Sequence, residues 1–243
     1  MTYCVGMLVR DGLIALADTR TNAGVDHVSS VTKLHVWEQP GERVLVLMTA
    51  GNLAITQSVV SLLDEGGAMD DGTTLMNVPT MFEAARLVGA AVREVHRRDA
   101  EELGKQGVDF VASFLLGGQI AGRRLRLFMV YTAGNFIEAT PETPYLQIGE
   151  TKYGKPIIDR VLTFETGLRE ALKCALLSMD STLKSNISVG LPLDLAIYER
   201  DSLKLGLQRR ITEEDGYFGG LRKKWTDGLA AAVANIPDPE WTW

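Results

Sequence analysis

The chain has 243 residues, of which 46% are hydrophobic and 23% charged, a composition typical of a folded globular protein and unlike that of a disordered chain. Its 25 Lys and Arg against 31 Asp and Glu give a net charge of −6, which argues against nucleic acid as a partner because phosphate contacts need excess basic residues. No segment approaches the ~18 consecutive apolar residues of a membrane-spanning helix, so we expect no membrane partner.

The beginning of the sequence predicts a cytoplasmic location. It has neither the basic region nor the apolar region of a signal peptide. Cys4 and Cys174 are too few for a disulfide framework. Both cysteines lie in apolar runs, and the alternation along the first strand predicts that Cys4 packs in the core.

The first fifth of the chain is rich in strand patterns. The predicted strands are 3–9, 13–18, 33–38 and 43–49. The first two flank Asp11-Gly12, a pair typical of a tight hairpin turn. We expect the polar segment 19–32 to connect the two strand pairs.

Two consecutive helices are predicted next. Asn52 is expected to cap the first helix, which ends at Gly66-Gly67. The second begins at Pro79-Thr80 and continues toward Leu103.

The remainder of the chain contains further strands and helices. The predicted strands are 108–116, 125–131, 136–139, 145–148, 188–199 and 205–211, and the predicted helices are 157–162, 168–183 and 217–236. A turn is expected from Gly117-Gly118 to Gly122. Runs of strands that alternate with pairs of helices predict an α+β fold, a four-layer αββα sandwich of two antiparallel sheets. Because no repeat or linker interrupts the pattern, residues 1–243 are predicted to form one domain.

Thr2 is a candidate nucleophile. Removal of Met1 is expected because the second side chain is small, and it would give Thr2 a free α-amine. Since such an amine has a pKa of about 7.7–8.0, one residue would then supply both a hydroxyl nucleophile and a base. The alternative is that Met-Thr is simply a common way for a chain to begin.

Three further segments support the catalytic interpretation. They are residues 17–24 (ADTRTNAG), Lys33 at the start of the third predicted strand, and residues 48–52 (MTAGN) before the first helix. With Thr2, these segments resemble the proteasome β-subunit and HslV class of N-terminal-nucleophile hydrolases, although the loop before Lys33 is one residue shorter than in those relatives. Residues 19–27, 40–43 and 185–192 resemble more specifically Anbu, the bacterial ancestral β-subunit family.

This resemblance implies the N-terminal-nucleophile hydrolase fold and the activity of a threonine peptidase or amidohydrolase that needs no cofactor and no metal. It implies that Thr2 attacks an amide, that Lys33 lowers the pKa of the Thr2 hydroxyl and that Asp18 orients Lys33. It further implies that the backbone N–H of Gly51 stabilises an oxyanion and that Ser188 belongs to the site.

The second half of the chain departs from the family pattern. Glu150 stands where a Ser is usual, and Ser185 stands where an Asp is usual, whereas Ser188 fits. Glu150 could bind the Thr2 ammonium and raise its pKa, or it could be a carboxylate of a surface turn. Arg20 is a further possible site residue.

Other polar residues predict no additional site. His27, His35 and His96 lack metal-ligand spacing and are interpreted as structural or exposed residues. Asp70-Asp71-Gly72 lacks the further ligands of a calcium loop and predicts a turn.

The resemblance also implies self-association into a large homo-oligomer, a ring or an open helical ring. We expect the tail at 237–243, with Trp241 and Trp243, to bind a neighbouring subunit or to fold back on its own domain. Four apolar helix residues are expected to contact neighbouring subunits: Val59, Leu63, Val88 and Val92. The alternative functions are a self-assembling particle with little hydrolysis, and amide hydrolysis or transfer on a small conjugate.

Overall fold

A computed structural model describes residues 2–23, 27–69 and 71–241. The strands are β1 (Tyr3–Val9), β2 (Gly12–Asp18), β3 (Arg20–Ala23), β4 (His27–Ser30), β5 (Leu34–Gln39), β6 (Arg43–Gly51), β7 (Ala112–Ile120), β8 (Arg126–Val130), β9 (Phe136–Glu138), β10 (Tyr145–Gly149), β11 (Leu193–Glu199) and β12 (Leu207–Ile211). The helices are α1 (Leu53–Glu65), α2 (Met81–Lys105), α3 (Lys155–Val161), α4 (Leu168–Ser185) and α5 (Gly216–Ala234). Met1, Asp70, Trp243 and part of the 19–27 segment lie outside the described residues.

Two five-stranded antiparallel sheets form the centre of the fold. The first sheet has the order β10-β1-β2-β11-β12, and the second has the order β5-β6-β7-β8-β9. The strands β3 and β4 form a separate two-stranded ribbon. This ribbon occupies part of the polar segment 19–32, where the sequence predicts only a connection because the segment has no apolar alternation.

Three apolar clusters separate four layers. One cluster joins the second sheet to α1 and α2, another fills the space between the sheets, and the third joins the first sheet to α3 and α4. Along β1, Val5 and Met7 face the helices, whereas Cys4 and Leu8 face the second sheet. Successive side chains of a strand point to opposite faces, so a strand covered on both faces is apolar throughout. The predicted αββα sandwich is confirmed.

Helix ends follow the local sequence signals. The Asn52 side chain accepts a hydrogen bond from the N–H of Ala54 at the start of α1, and Gly66 ends that helix with a left-handed φ of 72°. Thr80 caps α2 by accepting from the N–H of Glu83. Among the described residues, no helix is both long and apolar enough to cross a membrane.

Three predicted strand boundaries are wrong, and one of them is the start of β7, which begins at Ala112 and not at 108. Strand β7 runs through Gly117-Gly118, where a turn is predicted, because β6 approaches so closely that a β-carbon on Gly118 would overlap the carbonyl oxygen of Val44. Strand β11 begins at Leu193 and not at 188. The N–H groups of Ser188 and Val189 bind the side chain and the carbonyl oxygen of Asn186, so this part of the chain forms a turn.

The expected subunit contacts of α1 and α2 are also wrong. All four proposed residues lie in the core of their own subunit, packed against the second sheet: Val59, Leu63, Val88 and Val92. Their helical spacing reflects burial against the second sheet, so these four side chains are covered and cannot contact a neighbouring subunit.

Candidate functional site

Asp18, the last residue of β2, is a fully buried carboxylate that joins three parts of the chain. Its Oδ1 accepts hydrogen bonds from Nζ of Lys33 at 2.8 Å and from the N–H of Tyr3 at 3.0 Å. Its Oδ2 accepts from the N–H of Gly190 at 3.3 Å. Burial raises the pKa of this carboxyl, while Lys33 and the two backbone N–H groups act in the opposite direction.

Lys33 is buried and held at both ends. Its Nζ donates to Asp18 and also to the carbonyl oxygen of Arg20 at 2.7 Å. Its own carbonyl oxygen accepts from the N–H of Thr49 at 3.0 Å. An ammonium has three N–H donors, and in the described part of the chain only these two acceptors bind them. One donor of a fixed positive charge is thus available to a further group.

The peptide group between Thr2 and Tyr3 is fixed from both sides. Its N–H is the one that donates to Asp18, and its carbonyl oxygen accepts from the N–H of Glu150 at 2.7 Å. Gly149 lies against the same oxygen with a φ of 84°, and a β-carbon there would overlap it. Thr2 itself is buried. Because both polar atoms of this peptide are bound, the start of β1 has a defined position beside the Lys33–Asp18 pair.

Gly51 ends β6 with a φ of 123°, directly before the cap of α1. This backbone conformation favours glycine, and a β-carbon would overlap the carbonyl oxygen of Val111. Gly51 is exposed, whereas the residues before it in β6 are buried. The positive end of the α1 dipole lies beside this exposed backbone.

No model of a protein family matches the sequence, and a comparison with curated proteins finds no match. Among solved structures, Anbu (ancestral β-subunit) from Yersinia bercovieri is 55% identical, with a TM-score of 0.92 over 99% of this chain and 100% of that chain. The chain belongs to the Anbu family. An Anbu (Gly-1) mutant from Hyphomicrobium sp. strain MC1 is 51% identical, with a TM-score of 0.92 over 99% of this chain and 100% of its own. A structure described as the helical assembly of the Anbu complex from Pseudomonas aeruginosa is also 51% identical, with a TM-score of 0.92 over 98% of both chains.

Within the Anbu fold, Arg20 holds the loop that follows α4. Its guanidinium donates to the carbonyl oxygen of Ile187 at 2.8 Å and lies against Gly190, where a β-carbon would overlap it. Ser188 lies in this loop with a partly buried side chain. Ser185, by contrast, ends α4 with an exposed side chain, and no hydrogen bond among the described residues joins it to Asp18 or Lys33.

Glu150, one of the two departures from the family pattern, lies next to the start of β1. Its backbone binds Thr2, and its side chain is only 17% exposed, with the carboxylate 3.8 Å from Nζ of the exposed Lys152. A carboxylate of an open surface turn would be more exposed. The backbone of Glu150 thus lies beside Thr2, and its carboxylate is mostly buried at the turn that follows β10.

A cleft beside Lys33 is the feature of this Anbu chain that the sequence analysis missed. It has a volume of about 400 Å³, and its walls include Val31, Thr32, His35, Thr49 and Leu53. Val31 and Thr32 directly precede Lys33 in the sequence, and the N–H of Thr49 donates to the carbonyl oxygen of Lys33. The closeness of Val31 and Thr32 to Lys33 in the sequence was the signal that could have indicated this cleft.

The histidines have separate surroundings. His35 lines the cleft, and burial lowers the pKa of its imidazole. His96 packs edge-on against Phe110, with ring centroids 4.8 Å apart. The side chain of His27 lies outside the described part. Among the described residues, no group of three His, Cys, Asp or Glu side chains is arranged to hold a metal ion.

Proposed function

We propose that this chain is a threonine peptidase or amidohydrolase in which Thr2 is the nucleophile. The observation that carries the proposal is the shared oxygen of Asp18, which binds both Nζ of Lys33 and the N–H of Tyr3. Through this oxygen, the buried cation and the residue that follows Thr2 have fixed positions relative to each other. This is the arrangement of nucleophile, activator and orienting group found in other hydrolases.

The reaction would proceed in two steps after removal of Met1. The neutral α-amine of Thr2 accepts the hydroxyl proton while the hydroxyl oxygen attacks the amide carbonyl. The tetrahedral intermediate then expels the amine, which takes up that proton, and leaves an ester on Thr2. Water, deprotonated by the α-amine, then attacks this ester. The protonated α-amine returns a proton to the Thr2 oxygen, which leaves as the regenerated hydroxyl and releases the acyl group as a carboxylic acid. In both steps, the backbone N–H of Gly51 would donate to the oxyanion.

Lys33 would act through its charge. A cation close to the Thr2 hydroxyl stabilises the developing alkoxide and lowers the pKa of the α-amine, so that the amine is neutral near pH 7. Each unit of such a shift corresponds to about 1.36 kcal/mol. Asp18 would keep Lys33 charged and in place.

Three further residues would surround the group formed by Thr2, Lys33 and Asp18: Ser188, Arg20 and Glu150. Arg20 is a positioning residue, because it binds the loop that carries Ser188 and Gly190. We propose Ser188 and Glu150 as neighbours of the α-amine, where the Glu150 charge would raise the pKa of the amine and shift the activity to higher pH. We assign no catalytic role to Ser185, since its side chain is exposed at the end of α4.

The cleft beside Lys33 would receive a side chain of a peptide or amide substrate. Its walls combine apolar and hydroxyl-bearing residues with His35, so that both apolar and polar substrate groups find partners there. Thr2 would attack the amide carbonyl in the same way in a peptide and in a small amide conjugate.

The second candidate function is a self-assembling particle with little hydrolysis. The mostly buried carboxylate of Glu150 favours it, because a carboxylate that raises the pKa of the α-amine keeps this amine protonated, and a protonated amine cannot accept the hydroxyl proton. Both candidates include a homo-oligomer, which the helical assembly of the Pseudomonas aeruginosa relative supports. We also propose that residues 1–243 form one domain, since β1 pairs with β10 and β2 pairs with β11 across most of the chain. The location proposed for this domain is the cytoplasm, as predicted in the sequence analysis.

One experiment separates the two candidates. The N-terminal mass of the purified protein is measured, and hydrolysis of a fluorogenic peptide library is compared for wild type, Thr2→Ser and Thr2→Ala. We expect a chain that lacks Met1, activity in wild type and Thr2→Ser, and none in Thr2→Ala. Equal turnover by wild type and Thr2→Ala would contradict the hydrolase, and retained Met1 without turnover would favour the particle.

A further inference from the structure

Helix α5 continues beyond the part of the fold that supports it. Phe218, in its first turn, is buried against α4, and Arg222 forms an ion pair with Asp180 of α4 at 2.5 Å. At 100° per residue, Trp225 and Leu229 lie on the same side of the helix as Phe218, and Ile236 follows the end of the helix. Yet Leu229 is 47% exposed and Ile236 is 68% exposed. The apolar side of α5 is therefore buried at its beginning and open toward its end.

A cavity of about 460 Å³ lies between α4 and the first half of α5. Its walls are apolar with a basic rim, and they include Lys173, Leu177, Tyr217, Leu221, Lys224 and Trp225. Within the described part of the chain, neither Lys173 nor Lys224 forms an ion pair. The cavity therefore suits a large apolar group that is accompanied by negative charge.

The segment after α5 carries such a group. It reads Pro237-Asp238-Pro239-Glu240-Trp241, so that a large aromatic follows two acidic residues on a backbone stiffened by proline. Trp241 is 79% exposed, which shows that its own subunit does not cover it. The segment begins at the far end of α5, about 21 Å along the helix from Leu221, and none of its described residues lines the cavity of its own subunit.

We propose that the cavity between α4 and α5 of one subunit binds the tail 237–241 of a second copy of this chain. Trp241 would enter the cavity, and Asp238 and Glu240 would approach Lys173 and Lys224. Buried Trp is a frequent hot spot of protein interfaces, and opposite charges at the rim fix the orientation.

This contact joins two different surfaces of the same chain. Such a heterologous contact can repeat from copy to copy and produce a ring or a helical array. The inference rests on the self-assembly described under the proposed function, and it names the surface that carries it. It does not depend on hydrolysis by Thr2.

A photo-cross-linking experiment identifies the partner of the tail. The residue p-benzoylphenylalanine replaces Trp241, and ¹⁵N-labelled and unlabelled chains are mixed before irradiation and peptide mass spectrometry. We expect cross-links between labelled and unlabelled peptides that contain Leu177, Tyr217 or Trp225. Cross-links confined to single chains, or cross-links only to other surfaces, would overturn the proposal.

Substitutions test the energetics by sedimentation over a range of protein concentrations. We expect Trp241→Ala and Lys224→Glu each to raise the concentration needed for assembly at least tenfold, and Glu240→Lys to restore part of the loss in Lys224→Glu. Ile137→Ala, at an exposed residue of β9, serves as the control and should change nothing. Unchanged assembly of Trp241→Ala would overturn this interface but not the homo-oligomer, whereas a monomeric wild type at micromolar concentration would overturn both.

Discussion

Gly149 lies so close to Thr2 that a β-carbon on it would overlap the Thr2 carbonyl oxygen. Gly41 has nearly the same φ, 81° against 84° for Gly149, but nothing lies within 4 Å of the position that a β-carbon on Gly41 would occupy. The two glycines thus separate the effect of the backbone angle from the effect of the contact with Thr2.

We predict that Gly41→Ala lowers the free energy of unfolding by about 1 kcal/mol, the usual cost of a left-handed conformation for alanine. Gly149→Ala should cost at least about 2 kcal/mol more, because it adds a steric overlap in a packed site. It should also abolish hydrolysis, since the start of β1 would move. Chemical denaturation and peptide turnover measure both effects, and equal stability of the two variants would contradict the close contact.

The buried pair of Lys33 and Asp18 predicts that stability and activity respond differently to substitution. Asp18→Asn leaves the Lys33 ammonium without its counter-charge and should destabilise the protein by about 3–5 kcal/mol. The double variant Asp18→Asn with Lys33→Met removes both charges and should recover most of this loss.

Hydrolysis should be absent in Lys33→Met, in Asp18→Asn and in the double variant, because the charge beside Thr2 is missing or misplaced. A double variant that recovered hydrolysis along with stability would show that Lys33 has no role in the reaction.

The hydroxyl of Tyr3 ties the start of β1 to two distant elements. It lies 2.5 Å from Oγ of Ser178 in α4 and accepts a hydrogen bond from Gln147 in β10. Tyr3→Phe removes a hydrogen-bond partner of the buried Ser178 and of the half-buried Gln147 and should cost about 1–3 kcal/mol. Since Tyr3 also binds Asp18 through its N–H, we expect turnover to fall as well.

Tyr198→Phe is the matched control for this experiment. Tyr198 is also buried, and its hydroxyl donates to Gln119, at the end of β11 that is remote from Asp18. This variant should lose comparable stability and keep its turnover at temperatures where it is folded. Equal turnover losses in both variants would mean that Tyr3 acts on stability alone.

Glu150 predicts the direction of a pH shift. A carboxylate beside an ammonium raises the pKa of the ammonium, and its removal lowers that pKa. Because the α-amine of Thr2 acts as a base only when it is neutral, Glu150→Ser should move the acidic limb of the pH–rate profile to lower pH. Glu142→Ser, at an exposed turn, is the control. An unchanged pH–rate profile in Glu150→Ser would contradict the proposed position of the Glu150 carboxylate beside the α-amine.

The two thiols should be inert in the folded protein. Cys4 and Cys174 are buried, and burial raises the pKa of both, that of Cys174 to about 11. The measurement is a thiol assay with an aromatic disulfide that releases a yellow product when it reacts with a thiol. We expect it to detect no thiol in the native state within minutes and two thiols after denaturation. Rapid reaction of either native thiol would contradict its burial.

Much of the fold could be predicted from short-range sequence signals. The Asp11-Gly12 hairpin, the Asn52 and Thr80 caps and the Gly66 stop are each fixed by a few neighbouring residues. The turn predicted at Gly117-Gly118 is wrong because Gly118 allows β6 to lie close to β7. This contact joins residues that are far apart in sequence.

The same distinction applies to the site. Thr2, Asp18 and Lys33 lie in short motifs and could be named in advance. The bonds of Tyr3 to Ser178 and Gln147 span 175 and 144 positions and leave no local pattern. His35 is interpreted from the sequence as structural or exposed because it lacks metal-ligand spacing. Its position in the cleft wall could not be predicted, since the cleft also needs α1, which follows later in the chain.

The position of β1 has a consequence for the order of events during synthesis. It precedes the other described strands in chain order, yet its outer partner β10 ends at Gly149, and the N–H that completes the bonds of Asp18 belongs to Gly190. Until the chain extends to β10, β1 can pair only with β2, and in the proposed mechanism Met1 would be removed before the site is complete. A chain that ends before Gly190 lacks one of the bonds to Asp18, so the last third of the chain completes the proposed site.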